Sequence, residues 1–229
     1  MELPLDRCSI RSWRPADAER LASIANDRSI WRMVRDRFPH PYARADADAF
    51  IARATGEHPE QNFAIAVDDQ VVGGIACIPD VDINRVRAEV GYWLGAEWRG
   101  RGLATEAVRG FVDWIWATTE LQHLTAAVFT YNPESARVLE KAGFGLAYLA
   151  RKAAIKDGAI CDEWTYCLVR EDGKTGRRED GKTRSRPASA VVARSRTQPL
   201  RRSPSNSSSR LPVFHKHNGR RLRVAHCVC

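Results

Sequence analysis

No stretch of this 229-residue sequence approaches the roughly 18 to 20 consecutive apolar residues that a membrane-spanning helix needs. That excludes an ordinary helical span. The opening Met1-Glu-Leu-Pro-Leu-Asp6 has neither the basic start nor the apolar run of a secretory signal, so a cytoplasmic location is expected. Six cysteines (Cys8, Cys77, Cys161, Cys167, Cys227, Cys229) show no paired metal spacing within the first 170 residues, which points to reduced thiols. His40, His58 and His123 stand apart from carboxylates and cysteines, so no metal site or catalytic triad is expected from them. Also missing is Gly-x-Gly-x-x-Gly with an acidic strand end at the right distance, which argues against a dinucleotide fold.

Net charge is small in one part and concentrated in another. Residues 1–170 hold 21 Lys and Arg against 24 Asp and Glu, whereas residues 171–229 hold 15 against 4. The formal net charge of +8 therefore belongs to the tail, and it says nothing about whether the preceding part binds nucleic acid. The length allows one domain of common size plus an appendage, with boundaries expected at 1–170 and 171–229.

What is present is organised around residues 89–105. An apolar, β-forming run over 90–94 ends where Gly95, Gly100 and Gly102 punctuate the chain. Ala104, Ala107, Val108, Phe111 and Ile115 then recur at helical spacing, with Thr105, Arg109 and Asp113 on the opposite side. Glycines let the backbone approach a bound group, and a helix start aims unpaired N–H groups at the same point. With Arg99 and Arg101 beside it, this turn suits a phosphate or pyrophosphate.

Along the chain, residues 8–13 read as a strand, followed by a helix capped by Asp17 that carries Leu21, Ile24 and Ala25. Trp31, Met33, Val34 and Phe38 form an apolar segment before Pro39-His40-Pro41-Tyr42, and a second helix is expected to be capped near Asp46. The aromatics of this region either pack in the core or shape a pocket. Runs 63–67 and 71–78 around Asp68-Asp69-Gln70 read as a hairpin, and 86–94 is a third strand. Residues 123–129 form the strand that lies parallel to 90–94 across the helix. Asn132 before Pro133 caps a short helix closed by Gly143, and two strands follow, from Phe144 onward and over 163–169. The expected order is β-α-α-β-β-β-α-β-α-β-β.

Arg99-x-x-Gly102-x-Ala104 resembles the acyl-CoA signature of the GNAT N-acetyltransferase superfamily. Together with Ala88-Glu89-Val-Gly-Tyr-Trp-Leu, Thr105-Glu-Ala, Asn132-x-x-Ser135 and Leu139-Glu-Lys-Ala-Gly-Phe144, it is similar to the branch related to Rim-type ribosomal-protein N-terminal acetyltransferases. The likeness covers roughly residues 7–170, and Phe38-Pro-His-Pro-Tyr42 resembles that branch's acceptor-side loop. It implies an α/β fold with a mixed, splayed β-sheet flanked by helices, and acetyl-CoA as co-substrate without a metal. In such a protein Arg99, Gly100, Arg101, Gly102, Leu103, Ala104 and Thr105 would hold the pyrophosphate. The backbone of Trp93 and Leu94 would bind the pantetheine arm and the thioester oxygen, and Asn132 would contact the pantetheine or cap its own helix.

Glu89 would accept the amine proton if burial makes it basic; the alternative is a strand carboxylate paired with Arg87. Ser135 would stand near the CoA sulfur or simply cap its helix. The acceptor implied is a protein N-terminus; small amines (aminoglycoside, polyamine or amino-acid analogue) are the alternative, and the assembly a monomer or homodimer. A non-catalytic ribosome- or RNA-binding protein is a further reading. It rests on the tail, where Arg170-Glu-Asp-Gly-Lys-Thr recurs from Arg178 and Arg201-Arg202 and Arg220-Arg221 could meet a polyanion. Low complexity there predicts disorder, and a solvated tail, a non-native extension or a soft-metal site at His215, His217, Cys227 and Cys229 stay open.

Overall fold

A computed structural model describes residues 1–171, so the expectations for the basic tail lie outside the described residues. Among the described residues eight strands form one sheet, whose spatial order follows the chain except that the last two strands exchange places. In chain order these are β1 (Glu2–Pro4), β2 (Ser9–Ser12), α1 (Ala18–Ala25), α2 (Arg28–Trp31), α3 (Arg44–Gly56), β3 (Asn62–Val67) and β4 (Gln70–Pro79). They continue with β5 (Arg87–Leu94), α4 (Leu103–Thr118), β6 (His123–Phe129), α5 (Pro133–Lys141), β7 (Gly145–Lys156) and β8 (Ala159–Val169). All neighbours pair antiparallel except β5 and β6, whose parallel pairing requires a crossover, supplied by α4.

Local chemistry accounts for most of these elements. Asp68 and Asp69 both take positive φ, 49° and 62°, the backbone of a two-residue hairpin turn whose twist matches its strands. Asp157 and Gly158 repeat the device at 52° and 76°, so β8 starts at Ala159 and not at the expected residue 163. Asn132 caps α5 as expected, its Oδ1 accepting from Ser135 N at 3.3 Å with Pro133 in the first turn, and Gly143 closes the helix with φ 97°.

Several expectations change. The strand Glu2–Pro4 is too short to show a period, and α2 is a single turn that ends at Trp31, where the apolar segment 31–38 begins. Asp17 makes no side-chain cap to α1; its carboxylate instead takes a two-pronged contact from Arg11, at 2.8 and 2.9 Å, in the buried interior. Asp46 lies in the first turn of α3, whose N-cap is Ala43, and accepts from the Ala43 amide at 2.8 Å.

Helices cover both faces of the sheet. On one face α4 buries Leu103, Ala107, Val108, Phe111, Val112 and Ile115 against Ile10, Phe63, Val90 and Leu124. Each fully buried Val, Leu, Ile or Phe among them contributes about 1.5–3 kcal/mol of hydrophobic burial. On the other face α1 and α3 pack Leu21, Ala25, Ala47 and Ile51 around Trp13, Phe38 and Tyr42.

The sheet opens in the middle. β4 and β5 pair from Gly73↔Leu94 to Pro79↔Ala88, but β5 and β6 pair only at Arg87↔His123, Ala88↔Leu124 and Glu89↔Thr125. Beyond Glu89 the parallel neighbours diverge, while β6 stays bonded to β8 through Phe129↔Glu163. The expected splay is present.

Candidate active site

Backbone groups on a strand alternate between its two neighbours, and two bonds fix the phase in β5. Gly95 N donates to Val72 O at 2.9 Å and Asp80 N to Arg87 O at 2.9 Å, so odd-numbered residues turn their main chain toward β4. Even-numbered residues face β6, as Thr125 Oγ1 donating to Ala88 O at 3.4 Å agrees. The backbone that faces the gap therefore belongs to Tyr92 and Leu94. The expectation for Leu94 fits this phase; that for Trp93 does not, because its amide points into the β4 ladder.

The gap leads into a cleft of about 420 Å³ lined by Tyr92, Trp93, Leu94, Arg99, Gly100, Gly102, Leu103, Ala104, Thr105, Asn132 and Ser135. Sequence reasoning thus brought together residues from β5, the glycine turn and the starts of two helices. The turn has the geometry anticipated: Gly100 and Gly102 sit at φ 73° and 79°, where a Cβ is strained. Glu106 N donates to Gly102 O at 3.1 Å, leaving the amides of Leu103, Ala104 and Thr105 as the unpaired first-turn donors. Arg7 fastens this turn from outside, its Nε donating to Glu106 Oε2 at 2.6 Å and Nη1 to Arg101 O at 2.9 Å.

The two arginines of the motif part company. Arg99 lines the cleft, where its Nε donates to Leu94 O at 3.1 Å and its Nη1 to Ser29 Oγ at 3.0 Å. Arg101 lies outside the cleft lining, with its guanidinium 5.2 Å from the Trp98 ring centroid. Cations that the motif did not reveal replace it: Arg137 and Lys141, one turn apart on α5, line the cleft with Glu134, which Arg137 meets at 3.2 Å. Three cations, three free amides and a helix start favour a polyanion, and the walls of Ile30, Met33, Val34 and Val138 suit an apolar arm.

Ser135 has a partner the sequence did not announce. Tyr92 Oη donates to Ser135 O at 3.0 Å and stands 2.8 Å from Ser135 Oγ. A phenol has one proton, so while Tyr92 donates to the carbonyl the Ser135 hydroxyl donates to Tyr92. The signal was a tyrosine at an even position of β5, legible only once the phase of the strand was known.

Glu89 lies elsewhere. Its carboxylate accepts from Arg35 Nη2 at 2.8 Å, on the wall of a separate groove of about 640 Å³ with Asp36, Thr125, Glu163 and Lys156. The anticipated partner Arg87 instead meets Asp80 at 2.7 Å. Glu89 occupies the last rung before the gap and an odd position, so its side chain projects from the face opposite Tyr92.

On that same face lies a third cavity, of about 300 Å³, sharing Tyr92 and Trp93 with the cleft. Phe38 and Tyr42 of the proline-rich loop form its wall, with ring centroids 4.9 Å apart and Phe38 5.5 Å from Trp93. Burial pushes the Tyr42 phenol up to about 12, with Asp46 adding to the shift, so it stays protonated at neutral pH. Trp31 faces away, stacked on His40 at 5.8 Å with Lys156 Nζ 4.0 Å from its ring centroid.

Residues 7–145 match the acetyltransferase (GNAT) domain family. A probable N-acetyltransferase of Bacillus subtilis, YjcK, is 34% identical over 115 residues, spanning 49% of this chain and 64% of that protein, a little under two thirds of its length. The Escherichia coli ribosomal protein uS5-alanine N-acetyltransferase is 26% identical over 186 residues, covering 77% of this chain and 95% of its own. Among solved structures, RimL, a ribosomal-protein α-N-acetyltransferase in complex with coenzyme A, superposes with a TM-score of 0.67 at 14% identity, over 74% of this chain and 98% of that one.

Proposed function

The chain belongs to the acetyltransferase (GNAT) family, and from that premise we propose that it moves an acetyl group from acetyl-CoA to a primary amine, with a protein N-terminus as acceptor. The observation that carries the donor half is the coincidence, at one gap in the sheet, of two strand residues whose main chain faces the gap and a glycine turn that opens a sixteen-residue helix. The acceptor half draws support from relatives such as the uS5-alanine acetyltransferase, matched over almost its whole length. A compact amine is the second reading, favoured by the small cavity behind Phe38 and Tyr42.

Bound acetyl-CoA supplies the acyl group as a thioester. The glycine turn, with Arg99, Arg137 and Lys141, holds the phosphates, and the apolar wall of α2 and α5 guides the arm to the gap. Amides of Tyr92 and Leu94 face the place where negative charge develops on the carbonyl oxygen, and fixed dipoles there stabilise that charge without reorganising. The Tyr92–Ser135 pair holds a proton at the site where the departing sulfur needs one. From the opposite face the amine approaches with its lone pair free, and Glu89 takes the proton it loses, directly or through water. Acceptor and donor thus enter from different sides of one sheet.

The test uses the full chain. Release of CoA thiol is followed with acetyl-CoA and a panel of peptides and small amines, and mass spectrometry reports the acetylated product. Transfer to peptide α-amines above small amines supports the N-terminal reading. A folded protein that binds no acetyl-CoA by calorimetry sinks the donor assignment.

A further inference from the structure

The 300 Å³ cavity behind Trp93 has a wall that its own residues leave incomplete. Trp13, only 3% exposed, has an indole Nε1 that is buried and makes no hydrogen bond. Buried donors are rarely left so, and each one calls for a reason. Phe50 meets the Trp13 ring in a T-shaped contact at 5.3 Å, and a ring face is at best a second-order acceptor. Gly74 lines the cavity beside it: a Cβ placed there would stand 2.7 Å from Trp93 Nε1 and 3.4 Å from Trp13 Cζ2. Glycine at this position lets two indole edges converge on one spot in the wall.

We propose that this cavity binds the side-chain end of the acetyl acceptor, an aryl group carrying a neutral oxygen that accepts from Trp13 Nε1, a phenol being the simplest case. This rests on the acetyl-transfer reading above. Size fits one substituted six-membered ring, and the walls of Leu21, Phe38 and Phe50 are apolar enough to hold it. Neutrality follows from the donor: the buried wall offers the Trp13 indole N–H, while the lining arginines Arg37 and Arg53 sit at exposed positions and Asp46 would repel a carboxylate. Continuity with the reaction follows from Gly91, Tyr92 and Trp93, which line the cavity on the stretch of β5 that borders the gap. A ligand seated with its ring at Trp13 would present an amine toward Tyr92.

Calorimetric titration of the full chain, saturated with CoA, compares tyramine, 4-methylphenethylamine and ethylamine. The methyl compound has nearly the size of tyramine and no acceptor. Tyramine should bind about three- to tenfold more tightly than its methyl analogue, the value of one neutral hydrogen bond. Ethylamine should bind far more weakly than either. Trp13→Phe should abolish the preference for hydroxyl over methyl and keep the preference for aryl over ethyl. Equal binding of tyramine and its methyl analogue to the native protein, or no arylamine binding at all, overturns the proposal, and neither outcome depends on the variant folding. A hydroxyl preference that survives in folded Trp13→Phe overturns it too. The CoA-release assay, run with the same amines and with peptides that begin with tyrosine, separates the two claims: arylamine binding with no acetylation of any of them keeps the cavity and removes the acetyl-transfer reading, while ethylamine acetylated as readily as tyramine does the reverse.

Discussion

Gly73 and Gly74 are adjacent in β4, point to opposite faces, and should respond differently to one added methyl. A Cβ on Gly73 would stand 2.2 Å from the Trp93 carbonyl oxygen, 2.7 Å from Leu94 Cδ2 and 3.1 Å from Leu94 Cα. Two of these are backbone atoms that no rotamer change can remove, and relief to ordinary contact demands that β4 and β5 separate by more than an ångström. Overpacking usually costs about 1–3 kcal/mol, and a clash with fixed backbone belongs at the upper end or beyond. At roughly 2–4 °C per kcal/mol for a domain of this size, Gly73→Ala should lower Tm by about 6–12 °C. In Gly74→Ala the obstruction is the Trp93 indole, a side chain that can turn, so the main effect should be on arylamine binding in the cavity. Gly56, with open space at its Cβ position, is the control: Gly56→Ala in α3 should be neutral or slightly stabilising. Thermal unfolding by circular dichroism reads all three. If Gly73→Ala melts with the native protein, the close β4–β5 approach at the gap is wrong, and with it the phase assigned to β5.

Tyr92→Phe and Ser135→Ala should each lower kcat by about ten- to a hundredfold, and the double variant should fall little further, because the two oxygens share one proton path; additive losses would separate them. Glu89→Gln should lower turnover by about a hundredfold while acetyl-CoA affinity holds, and unchanged turnover removes it as the base. Affinity for acetyl-CoA should fall as salt rises, and Lys141→Ala should weaken it about two- to fivefold at low salt with a smaller effect at high salt; a salt-independent affinity measured by calorimetry contradicts the phosphate assignment. Burial pushes the Cys77 thiol up to about 12 and the Cys8 thiol to about 11, from 9.0. The unfolded chain releases these protons first, so stability is full below pH 9 and is lost as pH rises toward 11 and beyond. Urea midpoints should therefore drop across that window, less steeply in Cys77→Ala, and a flat profile refutes the burial argument.

The glycine turn and the two helix starts around the cleft were legible because their determinants are local. Glycine spacing, helix periodicity and the cap at Asn132 are fixed within a few residues, and each holds its expected place. Phase across strands is another matter. Nothing within residues 90–94 says which neighbour an amide faces; that depends on register with β4, set through pairs such as Gly74↔Trp93. The assignment of Trp93 failed for this reason, and Tyr92 escaped notice for the same one. Long-range ion pairs were equally opaque: Glu89 meets Arg35, 54 positions away, while the nearby Arg87 is taken by Asp80. Trp13 read as the end of a strand, and only the packing of α1 and α3 makes it a cavity wall.

The opening in the sheet links these observations. A strand that leaves its neighbour after three rungs exposes amides and carbonyls that water, side chains or a ligand must satisfy. Arg99 shows one solution, its Nε donating to the Leu94 carbonyl from within the motif that also forms the phosphate turn. On the proposed reading donor binding is a consequence of topology, since main-chain groups facing the splay would recognise an arm that every acyl-CoA shares. Acceptor choice has no such source. On the same reading it would depend on side chains from the opposite face, where Trp13, the loop pair Phe38 and Tyr42, and Trp93 come from different parts of the chain. A chain with the same glycine turn and a different set of aromatics at those positions should bind the same donor and acetylate a different amine. Exchanging Phe38 and Tyr42 for leucine should accordingly alter the order of preference among amines at constant acetyl-CoA affinity. A parallel loss of both in the two titrations would show that the faces are not independent.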